Sequence, residues 1–421
     1  MKIAISSDLY WPTVNGVSTA SHELALGLAE RGHKVLVLAP SQTGVHYIEK
    51  DGKTNIVRLK SVVFPFYHNQ IDDIREPREL AGVNMPNVPI YPKNGFRICL
   101  TPRREIRQAL NDFEPDVIHN HNPIMIGQEA LRYANRTGIP FVETNHVLPE
   151  NLVDNLKMFA PLSRPISRAI RWFSRVVDKA DYVTMPTQVA IDMFFTKEDL
   201  KYLPMPVEAV SNGIDLSRYS PGKVPASVYK KFGLSADQPI VTYLGRVDAE
   251  KHISVLVEAF ARIQRGTGAH LLIVGAGTDE ANLQELAEEL GVAKHVTLTG
   301  RVSDKDKLEL LRIGQVYCMP SPVELQSIAT LEAMASGQPV VAVDAGAVKE
   351  LCQDGRNGFL CEKDNVDQVA VGLEKILIDG KLRDKFAAES LKIAKTHDID
   401  YTLKRFEEIY KKAIKNYKPR Y

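Results

Sequence analysis

"MKIAISSDLYWPTVNGVSTASHELALGLAERGHKVLVLAP", residues 1–40, carries the fold. "KIAISS" is a short β-rich run, "TASHELALGLAERG" repeats its apolar positions at helical spacing and stops at Gly32, and "KVLVLAP" is a second apolar strand. Strand, glycine-containing loop, helix and strand open a doubly wound α/β domain. "DVIHNH" and "PFVETNH" extend the same sheet, each ending in polar residues where the carboxyl edge would lie. After the turn-rich "VSNGIDLSRYSPG" the pattern restarts with "PIVTYLGRV" and continues through "AHLLIVGAG", "HVTLTG", "QVYCMPS" and "PVVAV", alternating with helical segments. The expected architecture is α/β: two Rossmann-like domains with parallel sheets, residues 1–210 and 211–385, and C-terminal helices from 386 to 421 that pack on either half, crossing back to the first being one of the two courses open to them. Ligands of open parallel sheets sit beyond the carboxyl ends of the strands, so two such edges facing each other would enclose a cleft.

The bulk properties narrow the classes. The chain has 421 residues, 44% hydrophobic and 25% charged, which is long for one core and suits two. A net charge of +1 argues against bulk nucleic-acid binding, so basic behaviour must come from local clusters. Four cysteines, Cys99, Cys318, Cys352 and Cys361, lack C-x-x-C spacing and suit free thiols in a reducing compartment. The N-terminus shows no long apolar leader and no apolar run reaches membrane-spanning length, so the expectation is a cytoplasmic protein that meets a membrane from one side.

The stock nucleotide signatures fail. "GAGTDE" follows a strand but has Glu280 where a dinucleotide fingerprint needs its third glycine, and neither G-x-x-x-x-G-K-[ST] nor H-E-x-x-H occurs. Nothing calls for a metal or a cofactor. Three loops remain. In "YWPTVNGVSTA", Asn15 and Gly16 precede a helix whose first-turn amides could hold an anion, or form an ordinary turn. In "YLGRVDAEKHI", Arg246 and Lys251 could neutralise a diphosphate, or pair with Asp248 and Glu250. In "SPVELQSIATLEAMASG", a helix is expected to start near Gln326 or Ser327, with Glu324 just outside it and Glu332 about two turns in. A helical glutamate is usually solvated, but the small residues around Glu332 point to close packing.

Taken in order, "NGVS", "TNH", "SNGID", "LGRVDAEK", "VGAG", "GRVS" and "ELQSIATLEAMASGQPVV" resemble the retaining GT-B glycosyltransferases of family 4 across nearly the whole chain. The E-x7-E pattern of that family is intact in Glu324 and Glu332. The likeness is to bacterial glycolipid-forming members, of the diacylglycerol glucosyltransferase and phosphatidylinositol mannosyltransferase kind. It implies that Gly16 abuts the donor diphosphate and that Arg246 and Lys251 hold the phosphates. Glu324 and the amides of Gln326, Ser327 and Ile328 would hold the sugar, Glu332 the ribose, and Arg301 with Val302 the base. His146 would contact the sugar beside the reacting carbon, whereas His119 and His121 read as structural. Where several relatives have Phe-Gly-Ile, this chain has Gln326, Ser327 and Ile328, which leaves the sugar open. The resemblance also implies retention without a metal. Front-face attack is expected, the departing phosphate taking the acceptor's proton. UDP-glucose is the preferred donor and GDP-mannose the second.

"LSRPISRAIRWFSRVVDKA" places Arg164, Arg168, Arg171, Arg175 and Lys179 on one side of a helix, with Ile166, Ile170, Phe173 and Val177 opposite. Two readings stand: a solvated basic face over a core stripe, or a surface for an anionic membrane, where each cation contributes about 1 kcal/mol. A second basic cluster, Lys93, Arg97, Arg103, Arg104 and Arg107, lies in the same half. The expectation is a transferase on the inner face of the cell membrane that glycosylates a lipid such as diacylglycerol or a phosphoinositide. A soluble acceptor, a sugar-nucleotide epimerase and a non-catalytic sensor are the alternatives.

Overall fold

The computed structural model describes residues 1–13, 15–63, 97–100, 102–121, 124–146 and 177–417. Contacts divide the chain into a first unit, Met1–Ser211 with Thr402–Tyr421, and a second, Asn212–Tyr401.

In the first unit, β1 (Lys2–Ser6), β2 (Lys34–Pro40), β3 (Tyr47–Asp51) and β4 (Thr54–Leu59) are followed by a small ribbon of β5 (Val62–Val63) and β6 (Arg97–Ile98). Then come β7 (Val117–Asn120), β8 (Phe141–Thr144), β9 (Tyr182–Met185) and β10 (Val207–Ala209). The main sheet runs β10-β9-β8-β7-β1-β2-β4-β3. All its pairs are parallel except β3 with β4. Ile3, Ala4, Ile5, Val37 and Leu38 are wholly buried, because parallel strands covered on both faces read as apolar runs rather than alternating ones. The β3–β4 hairpin turns at Gly52, with φ +56°, and has no counterpart in the sequence expectations. Its outer strand carries Glu49, Lys50 and Asp51, charges that discourage further pairing at an edge.

The second unit contains β11 (Ile240–Leu244), β12 (His270–Val274), β13 (Val296–Leu298), β14 (Val316–Met319), β15 (Val340–Val343) and β16 (Gly358–Cys361). They form one parallel sheet in the order β13-β12-β11-β14-β15-β16. In both sheets the chain winds outward from a first strand and then returns to wind the other way. The reversals fall between β1 and β7 and between β11 and β14. Such switch points leave a crevice at the carboxyl ends of the two strands.

The boundary expected at residue 385 lies later. Phe386, Ile393 and Ala394 of the helix Gly380–Lys395 belong to the apolar core of the second unit, which continues to Tyr401. The helix Ile399–Asn416 then carries the chain into the first unit and buries Leu403, Phe406, Ile409, Tyr410 and Ala413. Leu403 lies so close to Gly27 that a Cβ there would meet its Cδ1 at 2.6 Å, which explains the glycine in the helix Gly16–Glu30. The two crossings are stitched. Thr402 Oγ1 donates to the Ser211 carbonyl (2.9 Å) on one side, and Ile214 exchanges backbone bonds with His397 and Ile399 (2.8 and 2.9 Å) on the other.

Candidate active site

At the switch point of the second unit, β11 runs into Gly245 and Arg246, and β14 into Ser321 and the turn before Glu324. Gly245 takes φ +154° and Gly275 φ +141°. A Cβ on Gly275 would lie 1.8 Å from the Gly245 carbonyl, and one on Gly277 2.0 Å from the Val247 carbonyl. The glycines of "GAG" therefore let the β12 loop seat backbone-to-backbone against the loop bearing Arg246, a packing role with no dinucleotide in it. Arg246 is bound by Asp248 and Glu250, the ion pairs foreseen as the plainer alternative. Lys251, at the end of a 3-10 turn Ala249–Lys251, donates to Glu324 Oε1 at 2.7 Å, and each side chain keeps only 14% of its surface exposed.

The helix starts one or two residues later than expected, at Ile328–Ala335, with the Ser327 hydroxyl as cap accepting from Thr330 N (3.3 Å). Glu332 accordingly lies little more than one turn in, rather than two. It is 6% exposed. Its Oε1 accepts from Tyr219 Oη at 2.6 Å and from Lys307 Nζ at 2.8 Å. Burial pushes the Tyr219 phenol up, so it stays a donor. Gln326 is also buried, and its amide oxygen accepts from Asn212 N at 2.8 Å, which ties the "SNGID" turn to the loop before the helix. Behind Glu324, Gly346 at φ +55° packs on the backbone, and Ala347 N donates to the Glu324 carbonyl (2.8 Å). Arg301 is exposed and Val302 partly buried after Gly300, ahead of the helix Asp304–Ile313.

At the switch point of the first unit, Asn15 caps the helix Gly16–Glu30 by accepting from Ser18 N (2.8 Å). Among the described residues a Cβ on Gly16 would meet nothing within 4 Å, so their packing does not demand glycine there. Three histidines gather at the ends of β7 and β8. His121 Nδ1 is 3.1 Å from His146 Nε2 with the rings stacked at 16°, and His119 lies 4.2 Å from His121 between ring centres. Burial lowers all three: His146 to about 4, His119 to about 3, and His121 well below the ordinary imidazole value, so the cluster is neutral. His121 Nε2 is buried with no hydrogen-bond partner among the described residues. On the other face, Asn120 joins Ser6 to Glu143, and Asp8 accepts from the amides of Ile126 and Gly127. Burial raises Asp8 to about 7 and Glu143 well above the carboxylate range.

Residues 14–218 match the family model "Glycosyltransferase Family 4", and residues 228–392 match "Glycosyl transferases group 1". The chain is a family 4 glycosyltransferase of the GT-B fold. It is 25% identical over 375 residues to the alpha-monoglucosyldiacylglycerol synthase of Acholeplasma laidlawii, covering 86% of this chain and 85% of that one. A GDP-mannose-dependent alpha-mannosyltransferase of Mycobacterium tuberculosis is 27% identical over 363 residues, covering 86% and 83%. Among solved structures, sucrose-phosphate synthase from Thermosynechococcus elongatus matches with a TM-score of 0.73 at 18% identity over 98% of this chain and 99% of that one, a likeness of fold.

Within the second unit of this glycosyltransferase the fold unites Lys251 with Glu324, while Tyr219 and Lys307, absent from the sequence reading, hold Glu332. Both come from distant segments, so no local spacing announces them. His121, read as structural, proves to be the direct neighbour of His146; the "HNH" alternation on one strand end was the available signal. Of the basic residues, Arg97 donates to Ser61, whereas Arg103, Arg104 and Arg107 with Gln108, Asn111 and Asp112 line a cavity of about 700 Å³ along the helix Arg103–Phe113. Lys179 is exposed and Val177 buried. Lys93, Arg164, Arg168, Arg171 and Arg175, with Ile166, Ile170 and Phe173, lie outside the described residues. Among the described residues no helix is long and apolar enough to cross a membrane.

Proposed function

We propose that this chain is a retaining hexosyltransferase that moves glucose or mannose from a nucleotide diphosphate sugar to a membrane lipid such as diacylglycerol, with UDP-glucose the favoured donor and GDP-mannose the second. The observation that carries this reading is the Lys251–Glu324 pair beside the capped helix at the β11/β14 switch point. Breaking the bond from the anomeric carbon to the diphosphate builds positive character on the sugar and negative charge on the leaving group. Lys251 and Arg246 meet the phosphates, joined by the helix start at Gly16. Glu324 and the amides of Gln326, Ser327 and Ile328 take the sugar hydroxyls. Glu332, held by Tyr219 and Lys307, takes the ribose, and the base lies near Arg301 and Val302. His146, with His121 beside it, meets the sugar near the reacting carbon. The acceptor oxygen bonds to that carbon on the face the diphosphate leaves, and its proton passes to the departing phosphate oxygen, so products are a nucleoside diphosphate and a glycoside of unchanged configuration.

The lipid acceptor is supported by the name of the Acholeplasma relative and by the arginine-lined cavity, which suits an anionic surface. On this reading the protein sits peripherally on the inner face of the membrane. The same cavity also admits the phosphate of a soluble acceptor, which is the second reading. A thermal-shift panel of UDP, GDP, UDP-glucose and GDP-mannose, then transfer assays with diacylglycerol in anionic or neutral vesicles and with soluble phosphorylated acceptors, tests both. Stabilisation by UDP-glucose and lipid product formed at undiminished rate in a chelator support the proposal. Product with soluble acceptors alone favours the second reading, and turnover of the donor without any acceptor overturns both.

A further inference from the structure

The histidine cluster is anchored from an unexpected direction. Tyr410, wholly buried on the helix Ile399–Asn416, lies 2.7 Å through its hydroxyl from His119 Nδ1. His119 Nε2 is 2.6 Å from Thr144 Oγ1, Thr144 Oγ1 is 2.6 Å from Thr184 Oγ1, and Thr184 Oγ1 donates to the Glu143 carbonyl at 3.5 Å. The Tyr410 phenol carries one hydrogen, and its one hydrogen-bond partner among the described residues is His119 Nδ1, which fixes the direction of the whole chain. His119 Nδ1 is therefore the acceptor, and Tyr410 the donor. Thr144 then accepts from His119, whose Nε2 carries the proton. Thr184 accepts from Thr144 and gives its hydrogen to the carbonyl. The reversed chain would leave the Tyr410 hydroxyl hydrogen buried with no acceptor among the described residues. His119, held at both nitrogens, faces His121, whose own Nδ1 meets His146.

We propose that Tyr410 is a positioning residue for sugar transfer: its phenol holds His119 as the Nε2–H tautomer and so fixes the ring on which His121, and through it His146, is set. The inference rests on the proposed part of His121 and His146 in the reaction.

The test uses the full chain with 15N-labelled histidine. In the wild type, His119 Nδ1 should show the shift of a bare acceptor nitrogen. In Tyr410→Phe it should move toward the protonated form, and kcat should fall at least tenfold while the KM for the nucleotide sugar stays within twofold. Thr144→Ala, which removes the partner of Nε2 and leaves the phenol in place, should keep His119 Nδ1 a bare acceptor, and it answers the question should Tyr410→Phe fail to fold. Phe406→Leu repacks the His119 and Tyr410 rings without removing a hydrogen bond and should leave the nitrogen shifts at the wild-type tautomer. A wild-type His119 protonated at Nδ1, or a Tyr410→Phe enzyme of undiminished kcat alongside an inactive His121→Ala, overturns the inference. A fully active His121→Ala instead overturns the role of the histidines while leaving the tautomer assignment to the nitrogen shifts.

Discussion

On the proposed reading the Lys251–Glu324 pair is a contact that substrate must remodel, because a diphosphate arriving at Lys251 competes with the carboxylate for the ammonium. Lys251→Met should therefore cost transfer activity about a hundredfold or more, the scale of one lost charge-stabilising donor, and Glu324→Gln should act mainly on kcat. Steady-state kinetics separates the two. Burial also writes a pH signature into the first unit. Asp8 titrates near 7 in the fold against an ordinary value of 3.8, so between those values the folded chain keeps a proton that the unfolded chain has lost. Its contribution to stability falls as pH rises through that window and is flat above it. The advantage of Asp8→Asn over wild type should grow by about 1.4 kcal/mol per pH unit from 4 to 7. With Trp172→Phe in the background, the fluorescence of Trp11 in urea follows the first unit. The histidines push the other way: neutral in the fold to about pH 4, they favour folding fully above 6.5 and progressively less below. Glu324 and Lys251 could be singled out in the sequence because loops after strands concentrate chemistry, and Glu332 because small residues flank it; the fold pairs the first two and buries the third. The partners of Glu332, Tyr219 and Lys307, could not be, since only the fold brings them together.

Loops at the ends of β11, β12 and β14 are held by glycines chosen for close approach rather than for turning alone. A methyl on Gly346 would lie 2.6 Å from the Glu324 carbonyl, and its φ of +55° disfavours a side chain besides. Gly346→Ala should displace Glu324, lowering kcat at least tenfold while far-UV circular dichroism stays unchanged; a fully active variant would detach that loop from the site. The alternation of strand and helix could be read directly from residues 1–40, because buried parallel strands and amphipathic helices have different apolar periods. The β3–β4 hairpin escaped because its outer strand is short and charged, with no apolar stripe to mark it. The start of the helix Ile328–Ala335 was misjudged by one or two residues, since Ser327 serves as its cap and the preceding loop is apolar enough to pass for helix.

At the scale of the whole molecule, the second unit is bracketed by the first, and the crossing at 401 was unreadable because the helix Ile399–Asn416 shows one uninterrupted amphipathic pattern through it. Removing residues 402–421 should leave the first unit unstable, for it strips Leu403, Phe406, Ile409 and Tyr410 from the core; each large buried side chain lost costs roughly 2–5 kcal/mol. Tryptophan fluorescence would report the collapse, and a truncated chain with an unshifted melting curve would refute it. The stitched crossings have a different outcome for heredity. Because the segment 212–401 enters and leaves at adjacent points, bridged at Ile214 and Asp398, it has the topology of a cassette. Recombination between related genes could exchange it whole, and on the proposed reading this would carry Lys251, Glu324 and Glu332 across together without redrawing the first unit.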